Sequence, residues 1–182
     1  MGDVTAHPPV LLIMAAFSRH DAALDWAQQR AESQWGPLAL SSERFEFTET
    51  GYYERSMGSD LRKTFFAFER LRDPAELASI KLQTNAWELE YAQLVEHAEE
   101  RPLNLDPGYL SQAKLVLATT KDRDHRIYIG QGICAEVTIT YRRDSGWVGR
   151  EWTYPDYLRG DYHEFFDRCR AYLRQHRRSS TA

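Results

Sequence analysis

Apolar and polar positions change period several times along this chain, and each change marks an element. Val10 to Phe17 is a continuous apolar run bounded by Pro9 and Ser18, the pattern of a strand buried on both faces. Ser18 then reads as the cap of a helix with Asp21 in its acidic first turn. Leu24, Ala27, Ala31 and Trp35 fall on one face of that helix, and Gly36-Pro37 stops it. Arg44 to Thr48 alternates around Phe45 and Phe47 as a short strand; TETGYYERSMGSDLRK follows as a glycine-dotted loop, and Lys63 to Leu71 is a further strand. Asp73-Pro74-Ala75-Glu76 is the best helix start in the chain, with Asp at the N-cap, Pro at the first helical position and Glu at the third. Leu77, Ile80, Thr84, Trp87, Tyr91 and Leu94 then carry an apolar stripe to about His97.

Leu103 to Leu105 reads as a short strand and Asp106-Pro107-Gly108 as a turn or helix start. Tyr109, Ala113, Val116 and Leu117 could share a helical face, while LVLAT could equally be a strand; a helix is the favoured reading. Arg126 to Ile129 and Ile133 to Arg143 form the clearest hairpin, turning at Gly130-Gln131-Gly132. An aromatic loop, DSGWVGREWTYPDYLRG, leads to a last helix from about Asp161, with Tyr162, Phe165, Phe166, Cys169, Tyr172 and Leu173 on one stripe. No repeat or linker divides the chain. The expected fold is a single α+β domain over 1–182, a mostly antiparallel sheet with helices packed on one face and frayed ends at about 1–8 and 176–182.

Composition narrows the function classes. With 182 residues, 42% hydrophobic and 27% charged, the chain can bury a core. A net charge of −4 argues against sequence-independent nucleic-acid binding, which needs clustered positive charge. Cys134 and Cys169 sit in unlike contexts and are expected as buried thiols. The first residues show no basic leader, the Val10 to Phe17 run is far short of a membrane span, and Ala6 stands where myristoylation needs Ser or Thr, so a cytoplasmic protein is expected. Ten Tyr and five Trp suggest rings lining a core or a pocket.

Signatures of known chemistry are missing. LATTKDRD approaches the N/TKxD pattern that reads guanine, but Asp122 directly follows Lys121 and no phosphate-binding glycine loop is present. No GxSxG supports a covalent nucleophile. The six histidines form no ligand spacing, so no metal ligands are predicted; a carboxylate site for magnesium would leave a fainter trace, and the cofactor stays unknown. What remains is a dense polar set around residues 104–136. Asn104 and Asp106 precede the LVLATT run, Lys114 and Lys121 flank it, and Thr119, Thr120, His125, Arg126 and Glu136 follow or end it. Lys81, Asn85 and Glu88 share one helix face. Tyr52, Tyr53, Tyr154 and Asp156 lie in the two aromatic loops. Lysine and arginine beside threonine hydroxyls suit a small anionic ligand, phosphorylated or nucleotide-like, with His125, Glu136 and Asp106 as candidate acid–base groups. The alternative is a non-catalytic interaction module using loops 51–58 and 147–157, for a protein partner or a second copy of the chain.

The blocks TGYYERSMG, NLDPGYLSQAKLVLATTKDRDHRIYIG and EWTYPDY resemble an uncharacterised bacterial family of unknown function. The resemblance covers nearly the whole chain. It implies a single small cytosolic domain and carries over no activity, substrate or catalytic residue.

Overall fold

A computed structural model describes residues 2–3, 5–94 and 96–179, without the side chains of 177–179. Nine strands of these described residues form one sheet: β1 Leu11–Ser18, β2 Leu38–Ser41, β3 Phe45–Glu46, β4 Arg62–Phe68, β5 Asn104–Leu110, β6 Lys114–Thr119, β7 Ile127–Gly130, β8 Ile133–Arg142 and β9 Gly146–Gly149. Among the described residues four α-helices accompany it: α1 Asp21–Trp35, α2 Glu54–Met57, α3 Leu77–Leu94 and α4 Gly160–Ser179. The strand order is β2-β4-β1-β5-β6-β8-β7, with β3 beside β4 and β9 beside β8, and neighbours run antiparallel. This is the expected α+β domain.

Helices cover both faces of the sheet rather than one. Leu12, Met14 and Ala16 of β1 pack with Leu24, Ala27 and Trp35 of α1 and with Ile80, Trp87 and Tyr91 of α3. Leu11, Ile13 and Ala15 pack the other way, with Phe65 and with Tyr162, Phe165, Phe166 and Cys169 of α4. The uninterrupted apolar run of β1 dictates this. A strand with no polar face in its sequence needs cover on both sides.

Local signals hold where the chemistry is local. Asp73 Oδ1 accepts from the Ala75 N–H at 2.9 Å and the Asp73 N–H donates to Glu76 Oε1 at 3.2 Å, so the two ends of the capping box are closed around the turn Pro74–Glu76 that opens α3. The hairpin turns through Gln131 at φ 55° and Gly132 at φ 76°, the positive pair that a tight turn demands. Cys134 and Cys169 are both buried thiols. Ser18 does not cap α1. It ends β1, accepts from the His20 N–H at 3.0 Å and donates to Pro102 O.

The largest correction concerns residues 106–119. Asp106-Pro107-Gly108 is neither turn nor helix start but the middle of β5, and LVLAT is strand β6, not helix. The expected fraying from residue 176 meets helix α4, which continues to Ser179; Met1, Val4 and 180–182 lie outside the described residues. Among the described residues no helix is long and apolar enough to cross a membrane.

Candidate functional site

The site begins with a division in the sheet. The β5–β6 ladder holds only Gly108↔Leu117, Tyr109↔Val116 and Leu110↔Leu115. Yet β5 stays paired to β1 down to Asn104, and β6 stays paired to β8 up to Thr119. Beyond Gly108 the two halves of the sheet therefore part. The DPG tripeptide explains the change. Pro107 brings no N–H to a ladder, and it stands at the first position past the pairing. Gly108 permits the close crossing: an added Cβ would lie 2.2 Å from the Val116 carbonyl oxygen and 2.7 Å from a Leu117 methyl.

Parting strands strand backbone groups, and α3 satisfies them. Glu88 Oε1 accepts from the Leu105 N–H at 2.7 Å, while Lys81 Nζ donates to the Leu105 carbonyl at 2.8 Å. The helix thus packs its apolar stripe on one sheet face and sends Lys81, Asn85 and Glu88 through the gap. On the far side lies a cavity of about 640 Å³. Its floor is the α4 side of the sheet, where Asn104 and Asp106 stand beside Phe17 and Ala15. Its roof is built from Phe47, Tyr52 and Tyr53 and from Tyr154 to Tyr157.

Three polar networks line this space. In the first, Lys81 Nζ lies 3.3 Å from Asp106 Oδ1, Asn104 Nδ2 donates to Asp106 Oδ2 at 2.8 Å, and Arg101 donates to Asn104 Oδ1 and, at 3.4 Å, to Glu88 Oε2. Burial raises the Glu88 pKa, against the pull of Lys81 and the Leu105 amide. In the second, Arg126 Nε donates to Glu136 Oε2 at 2.7 Å, and its Nη2 donates to Tyr154 Oη at 3.1 Å. Glu136 keeps Oε1 buried with no partner among the described residues. In the third, Lys63 Nζ donates to Asp156 Oδ2 at 2.6 Å, and the ammonium sits 4.3 Å from the Tyr157 ring centre. Burial pushes the Tyr53 and Tyr157 phenols up, so both stay protonated.

At the mouth the balance changes. Six lysine and arginine side chains line the cavity against five carboxylates, in a chain whose net charge is −4. Of the carboxylates, Glu49 pairs outward with Arg159 at 2.8 Å. Lys121 meets only the Tyr52 hydroxyl, at 3.1 Å, and Arg123 has no side-chain hydrogen bond or ion pair among the described residues. The Lys121 ammonium lowers the Tyr52 pKa, and Arg101 and Arg123 act in the same direction.

A family model described as a domain of unknown function, DUF4416, matches residues 8–172. The chain belongs to this family. No curated protein and no solved structure matches it.

In this DUF4416 domain the cavity gathers all but two of the residues singled out from sequence: Tyr52, Tyr53, Lys81, Asn85, Glu88, Asn104, Asp106, Thr119, Thr120, Lys121, Arg126, Glu136, Tyr154 and Asp156. Lys114 is not among them. It opens β6, opposite Thr140, at the end remote from Thr119. On a helix Lys114 and Lys121 would lie close; on a strand the five steps from 114 to 119 span about 17 Å. His125 is also absent from the lining. It sits behind Glu136, with Nε2 at 3.3 Å from Oε2, and stacks on Trp152 at 5.2 Å. Asp156 lines the wall but is 3% exposed and committed to Lys63.

Sequence reasoning missed Lys63, Arg101 and Arg123. A lysine opening the apolar stretch KTFFAF on the same face as Phe65 was the available signal for Lys63. Spacing also hid a cluster outside the cavity, where no metal ligands were expected: His20, His97 and Glu99 bring ligand atoms within 4.8 Å of one another.

Proposed function

We propose that this DUF4416 domain binds a small anionic ligand, phosphorylated or nucleotide-like, in the cavity between the two half-sheets. The observation that supports this reading is the pair of mouth cations, Lys121 and Arg123, neither of which forms an ion pair with a carboxylate among the described residues. Every other lysine and arginine in the lining has an acidic neighbour within ion-pair reach. An anion would take the place of the absent carboxylate, with Arg101 also in the cavity lining. The volume falls within the range of roughly 300–1,000 Å³ that small-molecule sites occupy. Phe47, Tyr52, Tyr53 and Tyr154 offer ring faces, and Glu136 Oε1 offers an acceptor to a donor on the ligand. Where acid–base chemistry accompanies binding, we assign it to Glu136, with Arg126 and His125 holding its other oxygen.

A thermal-shift panel of nucleotides, sugar phosphates and other phosphorylated metabolites tests this. A ligand at about 100 times its dissociation constant adds ~2.7 kcal/mol of stability. Lys121→Ala and Arg123→Ala should each abolish most of that shift while leaving the unliganded melting temperature nearly unchanged. A silent panel, or variants that respond like the parent, would sink the proposal.

A second reading is an interaction module. The aromatic loops turn Tyr53, Trp147 and Tyr157 inward but leave Tyr52, Trp152 and Tyr154 exposed. Edge strand β7 adds Ile127 at 72% exposure and Tyr128 at 66%. Exposed apolar edges pair with other chains. Under this reading the protein self-associates in sizing and light-scattering runs, and Ile127→Lys disperses it; a monodisperse monomer at high concentration rejects self-pairing.

A further inference from the structure

We infer that His20, His97 and Glu99 form a binding site for a transition-metal ion of the zinc type, separate from the cavity. His20 precedes α1, and His97 and Glu99 lie in the connector that leads from α3 to β5. His20 Nε2 lies 3.0 Å from Glu99 Oε2. A tetrahedral ion bound at about 2.0–2.1 Å separates its ligands by about 3.3 Å, so these two atoms already stand near the required spacing.

An ordinary ion pair between His20 and Glu99 would leave His97 unexplained. His97 Nε2 is buried and has no hydrogen-bond partner among the described residues, although the ring packs between Tyr91 at 5.1 Å and His20 at 5.4 Å. A buried polar nitrogen with nothing to bond calls for a partner that the chain itself does not supply. An ion drawn into the trio supplies that partner. The ion replaces the His20–Glu99 hydrogen bond with two metal bonds: the proton on His20 Nε2 leaves, to solvent from an imidazolium or by exchange through water to Nδ1 in a neutral ring, so that Nε2 and the carboxylate oxygen each present a lone pair.

Ligand chemistry selects the ion. Two imidazoles and one carboxylate suit zinc, cobalt, nickel or copper, whereas magnesium and calcium prefer oxygen sets. Three protein ligands leave a fourth position for water or for an outside ligand. Arg19 Nη1 donates to Glu99 Oε1 at 2.8 Å, which orients the carboxylate and leaves Oε2 for the ion. The same guanidinium places a positive charge beside the metal, so the site binds more weakly than one without it. Its position gives it a consequence for the cavity. Arg101 follows Glu99 by two residues, donates its backbone N–H to Ser56 O at 2.9 Å and sends its side chain to Asn104 and Glu88. A bound ion would fasten the start of α1 to the connector that positions Arg101.

Titration of metal-free protein with Co²⁺ tests the site. We expect one equivalent with visible absorption of four-coordinate character, displaced by Zn²⁺ and accompanied by a higher melting temperature. His97→Gln and His20→Asn should each remove the absorption and the thermal gain, whereas His163→Gln, at a remote histidine, should leave both. Two ligand variants are used so that a folding defect in one does not blind the test. Absence of the absorption in the parent, or its persistence in a folded His97→Gln or His20→Asn protein, would overturn the inference.

Discussion

Lys63 and Asp156 carry opposite charges into an otherwise aromatic wall, each side chain 4% exposed. A pair so buried adds little net stability, because desolvation offsets attraction, yet removing one member leaves a bare charge. Asp156→Ala should therefore cost about 3–5 kcal/mol in denaturant unfolding, with the double change Lys63→Met/Asp156→Leu regaining most of it. A loss under about 1 kcal/mol in the single variant would contradict the buried-pair account. Glu88 makes a different prediction. Burial raises its folded pKa above the ordinary 4.5. The fold therefore favours the protonated form, and this group weakens stability as pH rises from the unfolded value through the raised one. Glu88→Gln keeps an acceptor for the Leu105 N–H and should flatten that decline, as measured by urea midpoints between pH 4.5 and 7. Single residues were legible by spacing and density: Lys81 and Glu88 share a helix face, and Asp106 and Glu136 fall in the polar-rich stretch 104–136. Lys63 was not, because its partner is 93 positions away.

Strands β5 and β6 show where local pattern runs out. Asp, Pro and Gly are turn residues on local grounds. Here each answers a long-range demand: Asp106 for Lys81 and Asn104, Pro107 for the end of a ladder, Gly108 for a crossing strand. The LVLAT run is apolar enough for either element, and the choice falls to pairing with β8, which lies some twenty residues on. By contrast the α3 capping box and the hairpin at 130–132 were readable, since each closes within four residues. Gly108→Ala tests the crossing. The added methyl meets backbone rather than a flexible side-chain end, so we expect about 1–3 kcal/mol of destabilisation or more, seen as a lower melting temperature. An unchanged melt would mean that β5 and β6 separate more easily than their register implies.

Across the whole molecule, one apolar strand fixes the layers. With no polar face, β1 forces α1 and α3 to one side of the sheet and α4 to the other, and the cavity forms on the α4 side where α3 reaches through the gap. Fold class was legible from the alternation of elements. The distribution of helices was not read, although the β1 run contained the reason. Convergence of residues from 17 to 157 on one cavity could not come from spacing, because it depends on the parted sheet.

That parting makes the domain two plates on a short seam. Three residue pairs in the sheet, the side chains of α3 and the core that both share with α4 join them. A ligand touching Asn104 or Arg101 on one plate and Lys121 or Arg126 on the other would act as a clamp, and its binding energy would resist the plates moving apart. Amide hydrogen exchange would record this far from the contacts: protection should rise together at Leu105 and Leu117 and along the strands behind them, β1 and β8. A ligand that protected only the amides it touches would show that the seam does not yield in the unliganded protein.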